Sequence, residues 1–365
     1  MIIQELINFL EEIAPPALQE SYDNAGLIVG DAKQEFTKAI VCLDAIEEVI
    51  DEAIQKGANL VIAHHPIVFS GIKKLNGKNY VERTVIKAIK NDIAIYAIHT
   101  NLDNVNDGVN KKIADKLGLE DVEILSPKMN CLSKVVCFVP LNAKKKVMQA
   151  MFEAGAGRIG NYSEASFSHE GEGTFKGNSS STPAIGELNK LEKVKEARVE
   201  VLVENYRLSK VLSAMQDEHP YEEVAYDVIE LKNVHNEIGA GMIGVLPKEL
   251  EVSQFFKMLQ EKFQVPVVRH TTFVKDKIRR VALCGGSGSF LLSLAKRKNA
   301  DVFLTGDFRY HEFFDADNQL IIADVGHYES EQFTSELLIE NLNKKFRNFA
   351  FLLTEINTNP VNYFI

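Results

Sequence analysis

Tryptophan is absent from the 365 residues, so the aromatic part of any core falls mostly to the 21 phenylalanines. Cysteine is scarce. Cys42, Cys131, Cys137 and Cys284 are scattered and form no C-x-x-C pair. That spacing speaks against a disulfide framework and a thiolate zinc site, and reads as reduced thiols in the cytoplasm. No apolar run approaches the roughly 18 residues that a membrane span requires. The opening stretch MIIQELINFLEEIAPP is acidic with helical spacing. It lacks the basic start and long apolar centre of a secretory signal. Positive charge is also in deficit, with 41 Lys+Arg against 51 Asp+Glu and a net charge of −10. Proteins that coat nucleic acid or lie on a membrane need a basic face, so both classes are disfavoured, and only a local basic groove stays open.

What is present is a globular composition, 45% hydrophobic and 25% charged. At about 150 residues per domain, the length suggests two to three domains. The first 120 or so residues alternate apolar runs with helical periods. Strands are predicted over Thr37–Leu43, Asn59–Ala63 and Ile93–Ile98. Helices are predicted over Glu47–Gln55, closed by Gly57, and over Val81–Lys90 and Val109–Leu117. Continuous apolar strands alternating with helices predict a parallel sheet covered on both faces. The last 90 or so residues repeat the pattern. Strands are predicted over Arg279–Leu283, Asp301–Leu304 and Leu320–Ala323, with a helix over Phe290–Lys298 and another after His327.

The two ends resemble each other. KGANLVIAHH (56–65) lies over KNADVFLTGD (298–307) without a gap, and His65 falls on Asp307. This suggests two related α/β half-domains packed as a pair, with chance similarity between βαβ units as the alternative. The middle differs. Strands over Ser133–Pro140, Ala197–Val203 and Ala225–Leu231, helices over Lys144–Gly155 and Leu208–Gln216, and loops with short strands over 157–186 fit a ferredoxin-like α+β sandwich. The expected organisation is a discontinuous α/β domain, 1–127 with 236–365, and an inserted domain, 128–235.

Chemistry-bearing residues gather at strand ends, where parallel α/β sheets bind ligands. His64 and His65 end one predicted strand, and turning of the chain beyond it would let both imidazoles face one site. A packed and a solvated histidine is the plainer alternative. His99 and Asp103 follow the next strand in HTNLD, which also reads as an Asx turn. His327 and Glu331 are four apart and share a helix face, where a capping histidine and a first-turn glutamate are the plainer reading. Taken together, three histidines and two carboxylates converge from three strand ends. Histidine and carboxylate donors suit zinc, manganese, iron, nickel or cobalt. Five such donors exceed what one zinc takes, and with one carboxylate bridging they fit two metals about 3.5–4 Å apart. Asp307 and His311, in TGDFRYHEF, end another strand. They read as supports for the metal ligands, as proton-transfer groups or substrate contacts, or as surface charge. GGSG (285–288) reads as a strand-to-helix turn. It is not a G-x-G-x-x-G sequence, because Leu291 stands at the last glycine position.

With these residues assembled, the chain resembles the GTP cyclohydrolase I type 2 homologue family, also called the NGG-interacting-factor-three-like family. The matching pieces are SYDNAGLIVG (21–30), AHHP (63–66), HTNLD (99–103), LTGD with His311, and DVGHYESE (324–331). In the middle, GRIGNYSEASFS (157–168), GTFKG (173–177) and HPYEEVAYDV (219–228) resemble the PII/CutA-like insert of the longer bacterial members. The resemblance implies two divalent metal ions per chain, zinc foremost, with His64, His65, Asp103, His327 and Glu331 as ligands and Glu331 bridging. It also implies a ring-shaped homohexamer and opening of the GTP imidazole ring. His99, Asp307 and His311 are then the candidates for proton transfer and contact with a nucleotide substrate. Two other readings stand beside this hydrolase: a non-enzymatic metal-holding scaffold or sensor acting through the insert, and nucleic-acid binding inside a ring, which the acidic charge disfavours.

Overall fold

Runs such as KAIVCLD (38–44) and LVIAHH (60–65) are apolar except at their ends, so only a strand covered on both faces can bury them. The computed structural model describes residues 1–364. The chain forms two compact units, residues 1–127 together with the segment from Asn236 onward, and residues 128–235. The larger unit begins with α1 (Ile3–Ile13), β1 (Gly26–Val29), β2 (Lys38–Asp44), α2 (Glu47–Lys56), β3 (Leu60–His65), α3 (Tyr80–Lys90), β4 (Ala94–Ala97), α4 (Thr100–Asp103), α5 (Val109–Leu117) and β5 (Glu120–Lys128). The smaller unit comprises β6 (Leu132–Pro140), α6 (Lys144–Glu153), β7 (Ser166–Phe175), β8 (Glu192–Glu204), α7 (Leu208–Glu218) and β9 (Tyr226–Leu231). The larger unit resumes with β10 (His235–Glu251), α8 (Val252–Phe263), β11 (Arg269–His270), β12 (Lys277–Ser287), α9 (Leu292–Arg297), β13 (Val302–Gly306), β14 (Ile321–Asp324), α10 (His327–Glu331), α11 (Thr334–Lys345) and β15 (Ala350–Leu353).

Two sheets build the larger unit, in the orders β1-β4-β3-β2-β15 and β11-β14-β13-β12-β10-β5. In the first, β15, β2, β3 and β4 are parallel and β1 pairs antiparallel on β4. In the second, β12, β13 and β14 are parallel, with β11 antiparallel on β14 and β10 antiparallel on β12. Both sheets therefore set three successive strands in parallel and close on the third with a strand from earlier in the chain. The sheets are mixed, where the sequence pattern predicts parallel ones, because β1, β10 and β11 each run antiparallel to the strand they pair with.

The facing sides of these sheets share one core. Leu60, Ile62 and Tyr96 of the first sheet pack in the same cluster as Val281, Leu283 and Val302 of the second, with α1, α5, α8 and α11 contributing Leu6, Ile113, Phe255 and Leu338. Phenylalanine supplies the bulk that tryptophan does not: Phe255, Phe263, Phe303 and Phe308 are buried. α2 stops at Gly57, which takes the left-handed conformation (φ 66°) and returns its N–H to the carbonyls of Ala53 and Ile54.

In the smaller unit, the chain order β-α-β-β-α-β folds into a sheet ordered β7-β8-β6-β9, antiparallel throughout. Its core is its own: Val135, Cys137, Val199 and Val201 of the sheet pack against Val147 and Met151 of α6 and Val211 and Met215 of α7. The stretch predicted as loops and short strands holds β7, ten residues long and paired along its length with β8. It is an edge strand with most side chains exposed, so it lacks the apolar alternation by which strands are recognised. No helix among the described residues is long and apolar enough to cross a membrane.

Candidate metal centre

β3 runs through both His64 and His65, so no turn beyond the strand is needed to present them. The pleat sends His64 to the face of Leu60 and Ile62, and His65 to that of Val61 and Ala63. Both rings still reach one group because Glu331, on the one-turn helix α10, comes in at the strand end. Glu331 Oε2 lies 3.0 Å from His65 Nε2, 3.1 Å from His327 Nε2 and 3.9 Å from His64 Nε2. Asp103, at the end of α4, places Oδ1 3.6 Å from His64 Nε2. The Nε2 atoms of His65 and His327 are 3.3 Å apart. Three overlapping groups of ligand atoms result, each within 4.8 Å: His64, His65 and His99; His65, His327 and Glu331; His64, Asp103 and Glu331.

Each histidine has its other nitrogen committed. Nδ1 of His64 bonds to the Ile98 carbonyl at 2.8 Å, and that of His65 to Asp44 at 2.8 Å. Nδ1 of His99 bonds to Asp23, and that of His327 to Asp307, both at 2.7 Å. An acceptor on Nδ1 fixes the tautomer that leaves Nε2 as a lone-pair donor, the arrangement found behind metal-binding histidines. Two buried atoms, His64 Nε2 and Asp103 Oδ1, have no hydrogen-bond partner. Buried polar atoms are normally paired. Two unpaired ligand atoms facing one another fit a cation held between them.

The electrostatics agree. Burial raises the Asp103 carboxyl and the Glu331 charge adds to it, pushing it up to about 7. Burial opposes ionisation of Glu331, but the close contacts with His327 and His65 and the nearby His64 ring hold its carboxyl well below the usual range. Burial also opposes charge on His65, yet Asp44 and Glu331 raise it to about 9. For His327, burial is outweighed by Asp307 and Glu331, which raise it to about 11. The acids thus draw positive charge to the Nε2 atoms, where a divalent cation would supply it directly.

The structure brings His64, His65, Asp103, His327 and Glu331 together. His99 joins them, with its ring 5.3 Å from those of both His64 and His65, close enough to be a ligand as well as a proton carrier. Asp307 stands behind His327. His311 is not in the ligand groups. It is exposed, with its ring against Tyr310 and Phe314. The expected GGSG turn is different too: Gly285 to Ser287 lie within β12, whose register with β13 slips between Leu283 and Ser287. Gly286 (φ 60°) lies so close to the cluster that a Cβ there would stand 2.3 Å from Glu331 Oε1. Sequence reasoning did not single out Asp23, Asp44 or Gly286 for the site.

Comparison with known proteins follows the same lines. The Duf34/NIF3 (NGG1p interacting factor 3) family profile matches residues 1–360. A Halalkalibacterium halodurans protein named GTP cyclohydrolase 1 type 2 homolog is 39% identical over 365 residues, 99% of this chain and 98% of its own. The Bacillus subtilis protein of the same name is 38% identical over 366 residues, with 99% and 98% covered. A solved Bacillus cereus structure, described as a protein related to NIF3, matches with a TM-score of 0.86 at 39% identity, covering 100% of this chain and 99% of that one. A Staphylococcus aureus structure matches with a TM-score of 0.79 at 30% identity, covering 100% and 99%. With the profile running from the first residue to residue 360 and relatives aligned end to end, this chain belongs to the Duf34/NIF3 family.

Proposed function

We propose that the His/carboxylate cluster holds two divalent metal ions per chain, zinc foremost with manganese, iron, nickel or cobalt as alternatives, and that the protein is a metal-dependent hydrolase. One observation carries the reading: a single oxygen, Glu331 Oε2, faces the Nε2 atoms of three histidines whose Nδ1 atoms are all committed elsewhere. Glu331 would bridge, and His64, His65, Asp103 and His327 would complete the two ligand sets. Two ions so held would lower the pKa of a shared water and polarise the group it attacks. The chain's own residues do the rest. Asp44 and Asp307 keep His65 and His327 in the donor tautomer, and Asp23 does the same for His99. His99 is the leading group for moving a proton beside the cluster, and Asp307 and His311 are assigned to substrate contact. The relatives' name suggests GTP as substrate, with hydrolysis at purine C8 opening the imidazole ring and releasing formate. The rest of the proposal is a cytoplasmic ring-shaped homohexamer whose smaller unit is a ferredoxin-like, PII/CutA-like insert.

The test is metal content per chain by mass spectrometry, on the native protein and on Asp103→Ala. About two ions, falling sharply in the variant, is the expected result. Near zero after loading with zinc, manganese and iron would end the metal reading. Metal-replete protein that turns over neither GTP nor a broad phosphoester panel would leave the second reading, a metal-holding scaffold or sensor. One observation favours that reading: the smaller unit has a separate core and contributes none of the cluster residues. It requires that deleting 128–235 alter assembly or partner binding while metal content stays.

A further inference from the structure

The SYDNAGLIVG segment gives Asp23 to His99, but the neighbouring Tyr22 has no part in that bond. Tyr22 is 63% exposed, and Phe69, in the segment after β3, is 52% exposed. Large aromatic rings left in water beside a polar cluster call for an explanation. These two are not loose. Asp23 accepts from the Thr100 amide at 3.0 Å and from His99 Nδ1 at 2.7 Å. Asn24 Nδ2 donates to the Val68 carbonyl at 2.6 Å, tying the two segments together. Ile67 and Val68 pack inward with the cluster of Val61 and Ala63, so Phe69 is turned outward from a fixed base. Rigid backbone under an exposed ring lowers the ordering cost of binding.

The rings of Tyr22 and Phe69 are 6.2 Å apart and tilted by 44°. That spacing leaves no room for a third ring sandwiched between them, since stacked rings each need about 3.5 Å. It makes an open corner, on which a flat ligand stacks against one face and meets the edge of the other. Phe69 stands edge-on to His99, with 6.3 Å between ring centroids. Burial raises the Tyr22 phenol, and the charges of Glu20, Asp23 and Asp103 add to that, so the ring lies within electrostatic reach of the cluster. A ring laid on this corner would border the ligand groups.

We propose that Tyr22 and Phe69 form the stacking platform for a planar heterocycle, the purine base of the substrate acted on at the adjoining centre. The identity of the ring as a purine rests on the hydrolase reading above. The platform itself rests on the two aromatic side chains. Stacking is sequence-tolerant because every base has a π-face, so this corner selects for a flat ring and leaves the choice among purines to other groups.

The probe is guanosine, which carries the base without phosphates that would bind cations directly. Its affinity is measured by titration calorimetry on protein incubated with zinc, with free ribose as the baseless control. Wild type should bind guanosine and not ribose. Tyr22→Ala and Phe69→Ala should each weaken guanosine about tenfold, in line with base stacking elsewhere. Tyr22→Phe, which keeps the ring and loses the hydroxyl, should bind within about twofold of wild type, marking the contact as stacking. Both residues are exposed, so the alanine variants should melt as wild type does and retain their metal. Unchanged guanosine affinity in both alanine variants, or no guanosine binding by wild type, overturns the platform. Metal content on the same samples separates the two ideas: protein that binds guanosine through these rings but holds no metal defeats the hydrolase reading alone.

Discussion

At the scale of single residues, the aspartates behind the histidines are the informative ones. Asp44 touches no other ligand of the cluster, yet its two oxygens hold His65 Nδ1 and the Thr358 hydroxyl, each at 2.8 Å. Asp44→Ala should leave the fold intact and weaken metal binding about 10–100-fold, the usual cost of losing an acceptor behind a metal-bound histidine. A chelator competition measures this, and unchanged affinity would remove Asp44 from the site. His64-His65 and the His327–Glu331 pair were legible in the sequence because unusual residue types crowd at strand ends and share a helix face. Asp44 and Asp23 were not, because they act across 21 and 76 residues and an aspartate near a strand or turn is ordinary. The signal for Asp44 was positional: it ends β2 opposite His65, which ends the neighbouring β3.

At the scale of elements, legibility followed the strength of the periodic signal. VNKKIADKL keeps a helical period and stops at Gly118, and α5 occupies Val109–Leu117 as the pattern predicts. HNEIGAGMIGVLPKELE reads as broken by glycine and proline, and no strand was expected there. β10 exists because β12 offers it an antiparallel ladder. The same limit hid the bulge in β12, whose glycines looked like a turn. Gly286 and Gly57 both have left-handed backbones, φ 60° and 66°, but a Cβ at Gly286 would meet Glu331, while one at Gly57 would meet nothing within 4 Å. Gly57→Ala should cost about 1–2 kcal/mol of stability and keep its metal. Gly286→Ala should carry that strain and also lose metal, because Glu331 must move. Equal metal content in the two variants would mean that Gly286 does not set the position of Glu331.

At the scale of the whole molecule, the two units have cores with no residue in common, so each should show its own thermal transition. The smaller unit's transition should depend on acid. Burial opposes ionisation of Glu204, but hydrogen bonds from His235, Tyr206 and Arg207 outweigh it and bring the carboxyl down to about 2. A folded value below the unfolded one, about 4.3, means the stabilisation is complete above that pH and is lost as pH falls towards 2. After solvent screening, the loss is on the order of 2 kcal/mol. Calorimetry between pH 5 and 2 should show the smaller unit's melting temperature falling, with a flatter slope in Glu204→Gln. Equal slopes would place the acid sensitivity elsewhere.

The cluster joins residues far apart along the chain, since His65 and Glu331 are separated by 266 positions. At about 5–20 residues per second, a ribosome delivers the carboxylate on the order of 15–50 s after the histidine. During that interval His64 and His65, joined later by His99 and Asp103, wait without it while the whole of 128–235 is made. The centre is therefore completed only after the smaller unit has emerged, and any cation held by all five residues is captured by a chain that already carries both units rather than by its first 127 residues alone.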